Sequence, residues 1–367
     1  MTAKRRPPLP ILTTLRFFAA AEVVAFHIAI ATPGWTGPRT FLEGLISGGY
    51  AAVTFFFVLS GFILTYVHSG PGERDGCDVP AATFWRMRFA RIAPAYYLAL
   101  LIALPALVSL VLRMPNESLG LDLLLEFLLL QAWYPSAKLV WNLPAWSVSV
   151  ECLFYALFPV LAPAMARLSR PMALVVAYGL VIAATACRAE FLAWPGTLAG
   201  RPDLQFQAYF PLLLLPQFIF GMVLGRLFAF GPSRPATVHA AMLGIGTAAL
   251  VIAFGFGDTL PWWVRSDMVL VVMFGLVIFG GAGATSVVPM LARPTPVLLG
   301  EASYAIYILH VPLIFWWAGL RSLGLPAWLS VSVYVAMVLV VSLFVYRRVE
   351  VPLRRLIAGP KPRPRLA

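Results

Sequence analysis

The sequence predicts an all-α, polytopic integral membrane protein with about ten transmembrane helices. Apolar residues make up 61% of the chain and charged residues only 11%, whereas soluble domains average about 45–50% and about 25%. The mean hydropathy is +0.87, and long apolar runs recur along the whole length. One helical bundle therefore fits the chain better than several soluble domains joined by polar linkers.

Ten apolar runs are long enough to cross a bilayer, because a spanning helix needs about 20 mostly apolar residues. These runs lie near residues 11–31, 44–67, 93–113, 148–168, 171–190, 207–229, 236–256, 265–285, 298–320 and 327–346. A further run, 118–134, is shorter and contains Asp122 and Glu126. It could span the membrane, re-enter it or lie at its surface.

The basic residues predict the orientation. If the N-terminus is cytoplasmic and 118–134 does not cross, the cytoplasmic segments hold 19 Lys and Arg residues and the outer segments hold 7. The positive-inside rule predicts a bias of this sign, and counting 118–134 as a span would place the basic C-terminal tail outside. We therefore expect ten spans with both termini in the cytoplasm. A single transmembrane domain would cover 1–358, followed by a basic tail over 359–367.

The charge distribution, the cysteine spacing and the N-terminal segment each argue against another interpretation of the chain. The net charge of +12 does not indicate nucleic-acid binding, since the basic residues sit in short patches between apolar runs. The three cysteines, Cys77, Cys152 and Cys187, show no metal-ligand spacing, and no metal site is predicted. The basic N-terminus precedes an apolar run without a small-residue cleavage site, which is typical of an uncleaved first helix.

Ionisable side chains inside the predicted spans are candidates for function, because they are costly to bury in lipid. Arg16 and His27 lie 11 positions apart in the first span. That spacing is about three helical turns, so both face the same side, about 16 Å apart along the axis. Glu22 points away from that face. Histidine is the side chain best suited to take up and return a proton near neutral pH.

Two further polar stripes occur in the spans. Ser147, Glu151 and Tyr155 follow Trp146 at i, i+4, i+8 spacing and share one helix face, although Ser147 could instead cap the helix. Tyr307 and His310 lie on one face of the ninth span, where a structural hydrogen-bonding role is the alternative.

Three arginines, Arg86, Arg88 and Arg91, lie in the predicted cytoplasmic loop between the second and third spans. Guanidinium groups are planar and permanently charged, which suits phosphate binding. The alternative is that they only determine the orientation of the chain in the membrane.

The chain resembles the membrane acyltransferase-3 family, which includes bacterial O-antigen and exopolysaccharide O-acetyltransferases. The resemblance runs from about Leu12 to about Pro352, without the periplasmic hydrolase-like domain of some members. Five stretches carry it, in this order: LTTLRFFAAAEVVAFH, GGYAAVTFFFVLSGFIL, FWRMRFARIAPAYY, WSVSVECLFYALFP and LGEASYAIYILHVPL. The resemblance implies transfer of an acyl group, usually acetyl from cytoplasmic acetyl-CoA, to a carbohydrate hydroxyl across the bacterial cytoplasmic membrane.

The resemblance also implies roles for the candidate residues. Arg16 and His27 match the family's essential pair, and Arg88 and Arg91 match its R-x-x-R motif. Glu151 matches the acid of its Trp-Ser motif. We expect CoA phosphates on Arg86, Arg88 and Arg91, with no permanently bound cofactor. A substrate path would be lined by Trp146, Ser147, Tyr155, Tyr307 and His310.

In the expected mechanism, His27 is the general base and Glu151 orients it, while Arg16 binds the donor or stabilises the oxyanion. An acyl-histidine intermediate stays open, as do the acceptor and the oligomeric state. The rival hypothesis is a transporter or flippase for a saccharide or small metabolite, which buried Arg, Glu and His would also suit. No internal repeat supports that hypothesis.

Overall fold

The computed structural model describes residues 6–32, 35, 37–38, 40–70, 77–113, 119–134, 141–192, 209–257, 259–321, 324 and 326–359. Within these residues the regular elements are all helical, which confirms the all-α class. The α-helices are α1 (Pro10–Ala31), α2 (Phe41–Ser47), α3 (Ala52–His68), α4 (Ala81–Arg113), α5 (Leu119–Phe127), α6 (Ala145–Arg167), α7 (Arg170–Leu192), α8 (Pro211–Phe230), α9 (Ala236–Gly255), α10 (Asp267–Gly283), α11 (Pro294–Glu301), α12 (Ser303–Arg321), α13 (Ala327–Val345) and α14 (Val351–Ala358).

Eight helical stretches of the described chain are long and apolar enough to cross a membrane. A ninth is added if α11 and α12, which meet at a 56° bend, form one span. Helix α10 is equally apolar but only 17 residues long. The chain is a multi-pass membrane protein, and the count of ten spans stays a prediction. Of the tail predicted over 359–367, only Gly359 belongs to the described residues.

The three arginines predicted to lie in a loop instead lie on a helix. Helix α4 begins at Ala81 and therefore carries Arg86, Arg88 and Arg91 in its first three turns. Alanine and arginine are strong helix formers, and Phe84 and Ala90 are fully buried against the bundle. The loop prediction was wrong because it placed the start of the helix at the first long apolar run.

The described part of the short apolar run 118–134 holds no helix long enough to cross the membrane. Helix α5 has 9 residues and is about 14 Å long, against a hydrocarbon core of about 30 Å. Both of its acids are buried within the protein, with exposed fractions of 1% for Asp122 and 0% for Glu126. Its amphipathic pattern therefore buries polar groups on the protein side.

Helices α3 and α8 pack closely, backbone against backbone. A Cβ atom on Gly221 would lie 2.0 Å from the Val58 carbonyl oxygen, and one on Gly61 would lie 2.0 Å from that of Phe218. Gly225 faces the Phe62 carbonyl in the same way. Small residues at four-residue spacing let membrane helices approach this closely, and α3 is held in the centre of the bundle as a result.

The last span continues into a helical extension. After α13 the chain forms one π-helical segment, Tyr346–Glu350, and then α14. Such π segments often occur at functional sites. Here the segment turns the carboxylate of Glu350, which is 0% exposed, into the bundle.

Candidate active site

Five helices enclose a cavity of about 170 Å³. Its walls come from α1, α3, α4, α6 and α12. The cavity brings together most of the polar residues predicted from the sequence, namely Arg16, Arg88, Arg91, Ser147, Glu151, Tyr155 and Tyr307. Separate polar stripes on apolar helices thus face one another, because each helix buries its polar stripe away from lipid.

Glu151 is the carboxylate of this cavity, and its surroundings differ from the expectation. Its hydrogen-bond partners are the hydroxyls of Tyr155 and Ser60. Arg16 and Arg91 are close enough to interact with it electrostatically. Among the described residues it makes no hydrogen bond to His27, so the structure does not give Glu151 the expected position beside that imidazole. Glu151 instead balances the charge of the arginines.

The two arginines of the R-x-x-R motif have different partners. Arg91 forms an ion pair with the buried Glu350 of the π segment and lies over the ring of Tyr304. Arg88 lies over the rings of Phe84 and Tyr155, and its buried Nε has no hydrogen-bond partner. Arg91 is therefore already neutralised within the protein, whereas Arg88 offers a donor to a ligand.

Arg86 lies on a different face of α4. It is exposed and does not line the cavity. It lies near Gly359, just beyond α14. Arg86 therefore does not share the cavity with Arg88 and Arg91.

A pair of hydroxyls lies in the lining of the cavity. The oxygens of Ser147 and Tyr307 are 2.7 Å apart, and each is within hydrogen-bonding distance of the Pro144 carbonyl, at 3.0 and 3.2 Å. Ser147 is not the helix cap that the sequence allowed, because α6 begins at Ala145 and Pro144 is its N-cap residue. The two hydroxyls together form a polar wall.

His27 lies beyond this wall. It does not line the cavity, and its Nδ1 is 3.2 Å from Nε2 of His310. His310 follows Tyr307 by one turn of α12, and Tyr304, which contacts Arg91, precedes Tyr307 by one turn. The polar groups along α12 therefore run in order from the arginines, through the hydroxyl wall, to the histidine pair.

The remaining predicted residue is Trp146. Its ring packs on Tyr209 with centroids 4.3 Å apart and does not line the cavity. It supports the start of α6 next to Ser147.

Sequence reasoning did not identify the role of Glu126. Its carboxylate accepts hydrogen bonds from the backbone N–H groups of Trp141 and Asn142, at 3.2 and 2.6 Å. The Asn142 side chain in turn donates to the Ile308 carbonyl of α12, at 3.0 Å. Burial raises the pKa of Glu126 to about 8, an effect partly offset by the two N–H donors. The only signal in the sequence was an acid in an apolar run.

Glu350 was missed as well. In the sequence it is a single acid within the basic segment Tyr346–Arg355. That isolation is a weak signal of an ion pair, and it does not identify the partner.

Comparisons with known proteins agree on one family. Residues 9–347 match a family described as an acyltransferase domain. The chain is 32% identical over 320 residues to Acyltransferase MdmB of Streptomyces mycarofaciens, covering 83% of this chain and 79% of that protein. It is 27% identical over 266 residues to Exopolysaccharide production protein ExoZ of Rhizobium meliloti, covering 71% and 75%. The O-acetyltransferase OatA of Staphylococcus aureus is 23% identical over 384 residues, covering 95% of this chain and 57% of that protein. No solved structure matches the chain.

Proposed function

Because this chain belongs to the acyltransferase-3 family and is a membrane acyltransferase, we propose that it transfers an acyl group from acyl-CoA to a carbohydrate hydroxyl. Acetyl is the expected group. The donor would enter from the cytoplasm and the acceptor from the other side of the cytoplasmic membrane. The observation that carries the proposal is the order of groups along the bundle: arginines, then hydroxyls, then the histidine pair. This assignment favours the enzyme over a transporter.

The cationic end of the cavity suits the phosphates of CoA. Arg16, Arg88 and Arg91 line it with one carboxylate, Glu151, among the described lining residues. Since Glu350 already pairs with Arg91, we assign phosphate binding to Arg88. Arg86 lies outside the cavity. An arginine side chain can form two charge-assisted hydrogen bonds to one phosphate group.

The distance between the arginines and His27 suits the length of the donor. Arg16 and His27 lie about 16 Å apart along α1. An extended pantetheine arm is on the order of 15–20 Å long, by analogy with the reach of an extended chain. With its phosphates on the arginines, the thioester would pass the hydroxyl wall of Ser147 and Tyr307 and reach His27.

The chemistry then follows from the groups present. Nε2 of His27 takes the proton from the acceptor hydroxyl, and the oxygen of that hydroxyl attacks the thioester carbonyl. The tetrahedral intermediate then collapses and the carbon–sulfur bond breaks. The departing CoA thiolate takes up the proton held by His27. An acyl-histidine route would use the same atom as a nucleophile.

The experiment uses purified protein in detergent with acetyl-CoA carrying a radioactive acetyl group and a panel of alkyl glycosides as acceptors. We expect label on at least one glycoside, and loss of transfer by a factor of about 100 or more in His27→Ala, the usual share of a general base. His239→Ala is the matched control, because His239 is a buried imidazole on α9 that does not line the cavity. A folded His27→Ala protein with full activity would refute the proposal.

A further inference from the structure

The histidine pair connects two helices that are far apart in the sequence. His27 on α1 and His310 on α12 have ring centroids 4.8 Å apart at an interplanar angle of 65°. Nε2 of His310 points at Nδ1 of His27, at 3.2 Å. The pairing is edge to face, with nitrogen atoms at the contact, so it is a hydrogen bond rather than a stack.

Backbone carbonyls determine which ring nitrogens carry protons. Nδ1 of His27 lies 2.9 Å from the Val23 carbonyl, and Nδ1 of His310 lies 2.6 Å from that of Tyr307. A carbonyl oxygen only accepts, so Nδ1 carries the proton on both neutral rings. Nε2 of His310 is then an acceptor and receives a second, bifurcated bond from Nδ1–H of His27. Nε2 of His27 is left with its lone pair.

Burial separates the roles of the two rings. His310 is 0% exposed, and its backbone carbonyl accepts a hydrogen bond from the Tyr334 hydroxyl of α13 at 2.7 Å. His27 is only partly buried. A substrate can therefore approach Nε2 of His27, whereas His310 is enclosed and cannot contact the substrate.

We propose that His310 is the positioning residue of the catalytic base, the part for which the sequence suggested Glu151. Its Nε2 lone pair fixes the orientation of the His27 ring and stabilises the proton on Nδ1 when Nε2 takes up a second proton. This is the part that a carboxylate plays in hydrolase triads, carried out here by a neutral imidazole. The inference rests on the proposed role of His27 as the base.

Two amide variants separate the two hydrogen bonds of His310. In His310→Asn the amide lies where Nδ1 was, so it keeps the donor to Tyr307 but cannot reach His27. In His310→Gln the amide lies where Nε2 was, so its oxygen can still accept from His27. We expect kcat to fall about 10- to 100-fold in His310→Asn, by analogy with the loss of the partner that orients a metal-bound histidine. His310→Gln should retain clearly more activity, and KM for acetyl-CoA should stay unchanged in both.

A double variant tests whether His310 acts through His27. Acetyl transfer by His27→Ala and by His27→Ala/His310→Asn should be equal, because a positioning residue has no effect once the base is gone. Tyr334→Phe is the matched control, since it removes a contact with His310 and leaves the imidazole in place.

The outcomes distinguish this inference from the proposed function. If His310→Asn is as active as the wild type, or if it lowers His27→Ala activity further by the same factor, His310 does not position His27. Equal losses in Asn and Gln variants with a raised KM would indicate a structural role and overturn the inference. If wild-type protein transfers no acetyl group and releases no CoA, the proposed function itself fails.

Discussion

At the scale of single residues, the two motif arginines illustrate how similar side chains take different parts. Arg91 and Glu350 form a pair in which the carboxylate is 0% exposed and the guanidinium 18% exposed. Arg354 approaches the same carboxylate at 3.9 Å. Arg88 instead lines the cavity, where Glu151 interacts with it electrostatically. We therefore assign Arg91 to structure and Arg88 to the ligand.

Alanine substitutions separate these parts. Arg91→Ala leaves a buried carboxylate without its main partner and should destabilise the fold by about 3–5 kcal/mol. Arg88→Ala should leave stability nearly unchanged and weaken acetyl-CoA binding about tenfold to hundredfold, as expected for the loss of one charge-assisted hydrogen bond. Thermal unfolding in detergent and equilibrium binding of acetyl-CoA measure the two effects. Unchanged CoA affinity in a folded Arg88→Ala protein would contradict its assignment.

At the scale of secondary-structure elements, the site depends on how closely α3 approaches α8. Helix α3 supplies Phe56 and Ser60 to the cavity wall, and Phe56 packs against Tyr307 with centroids 5.8 Å apart. The glycines at Gly61 and Gly221 allow the backbones to touch. A wider separation would displace the wall from the catalytic groups.

A methyl group at this contact should be enough to show the effect. In Gly221→Ala the new Cβ would meet the Val58 carbonyl oxygen at 2.0 Å, so the helices must move apart, at a cost of about 1–3 kcal/mol. Gly179→Ala on α7 is the matched control, because nothing lies within 4 Å of its Cβ position. We expect Gly221→Ala to lower both the midpoint of thermal unfolding and kcat, and Gly179→Ala to lower neither. Equal unfolding midpoints in the two variants would argue against a close contact.

At the scale of the whole molecule, the orientation in the membrane decides from which side each substrate enters. The excess of basic residues on one side predicts cytoplasmic termini. Helix α5 is too short to span, so the chain should be on the outer side both before and after it. The orientation is a prediction, and it requires the arginines to lie on the cytoplasmic side of the histidine pair.

Reporter fusions test this orientation in living bacteria. Alkaline phosphatase, which is active only outside the cytoplasm, should be active when fused after Tyr134. Green fluorescent protein, which folds in the cytoplasm, should fluoresce when fused after Ala358. The reciprocal fusions at the same residues serve as controls. Inactive phosphatase after Tyr134 together with a dark fusion after Ala358 would contradict the predicted orientation.

The membrane class, most of the helices and most of the polar residues of the cavity were predictable from the sequence because each depends on local pattern. Apolar runs of about 20 residues predict spans, and an ionisable residue inside one is visible without knowing its neighbours. Arg16 and Glu151 were predicted on that basis, Tyr307 from a polar helix face and Arg88 as an arginine of a cytoplasmic loop. The structure brings all four to one cavity.

Only the tertiary structure decided which of these residues face one another. His27 pairs with His310, which is 283 positions away, rather than with Glu151. Arg91, which was expected to bind CoA phosphates, pairs with Glu350. The π segment after α13 carries the buried carboxylate of Glu350. The position of a residue in a helix determines the face on which it lies. Its interaction partner depends on how distant helices pack, and no local stretch of the sequence determines that packing.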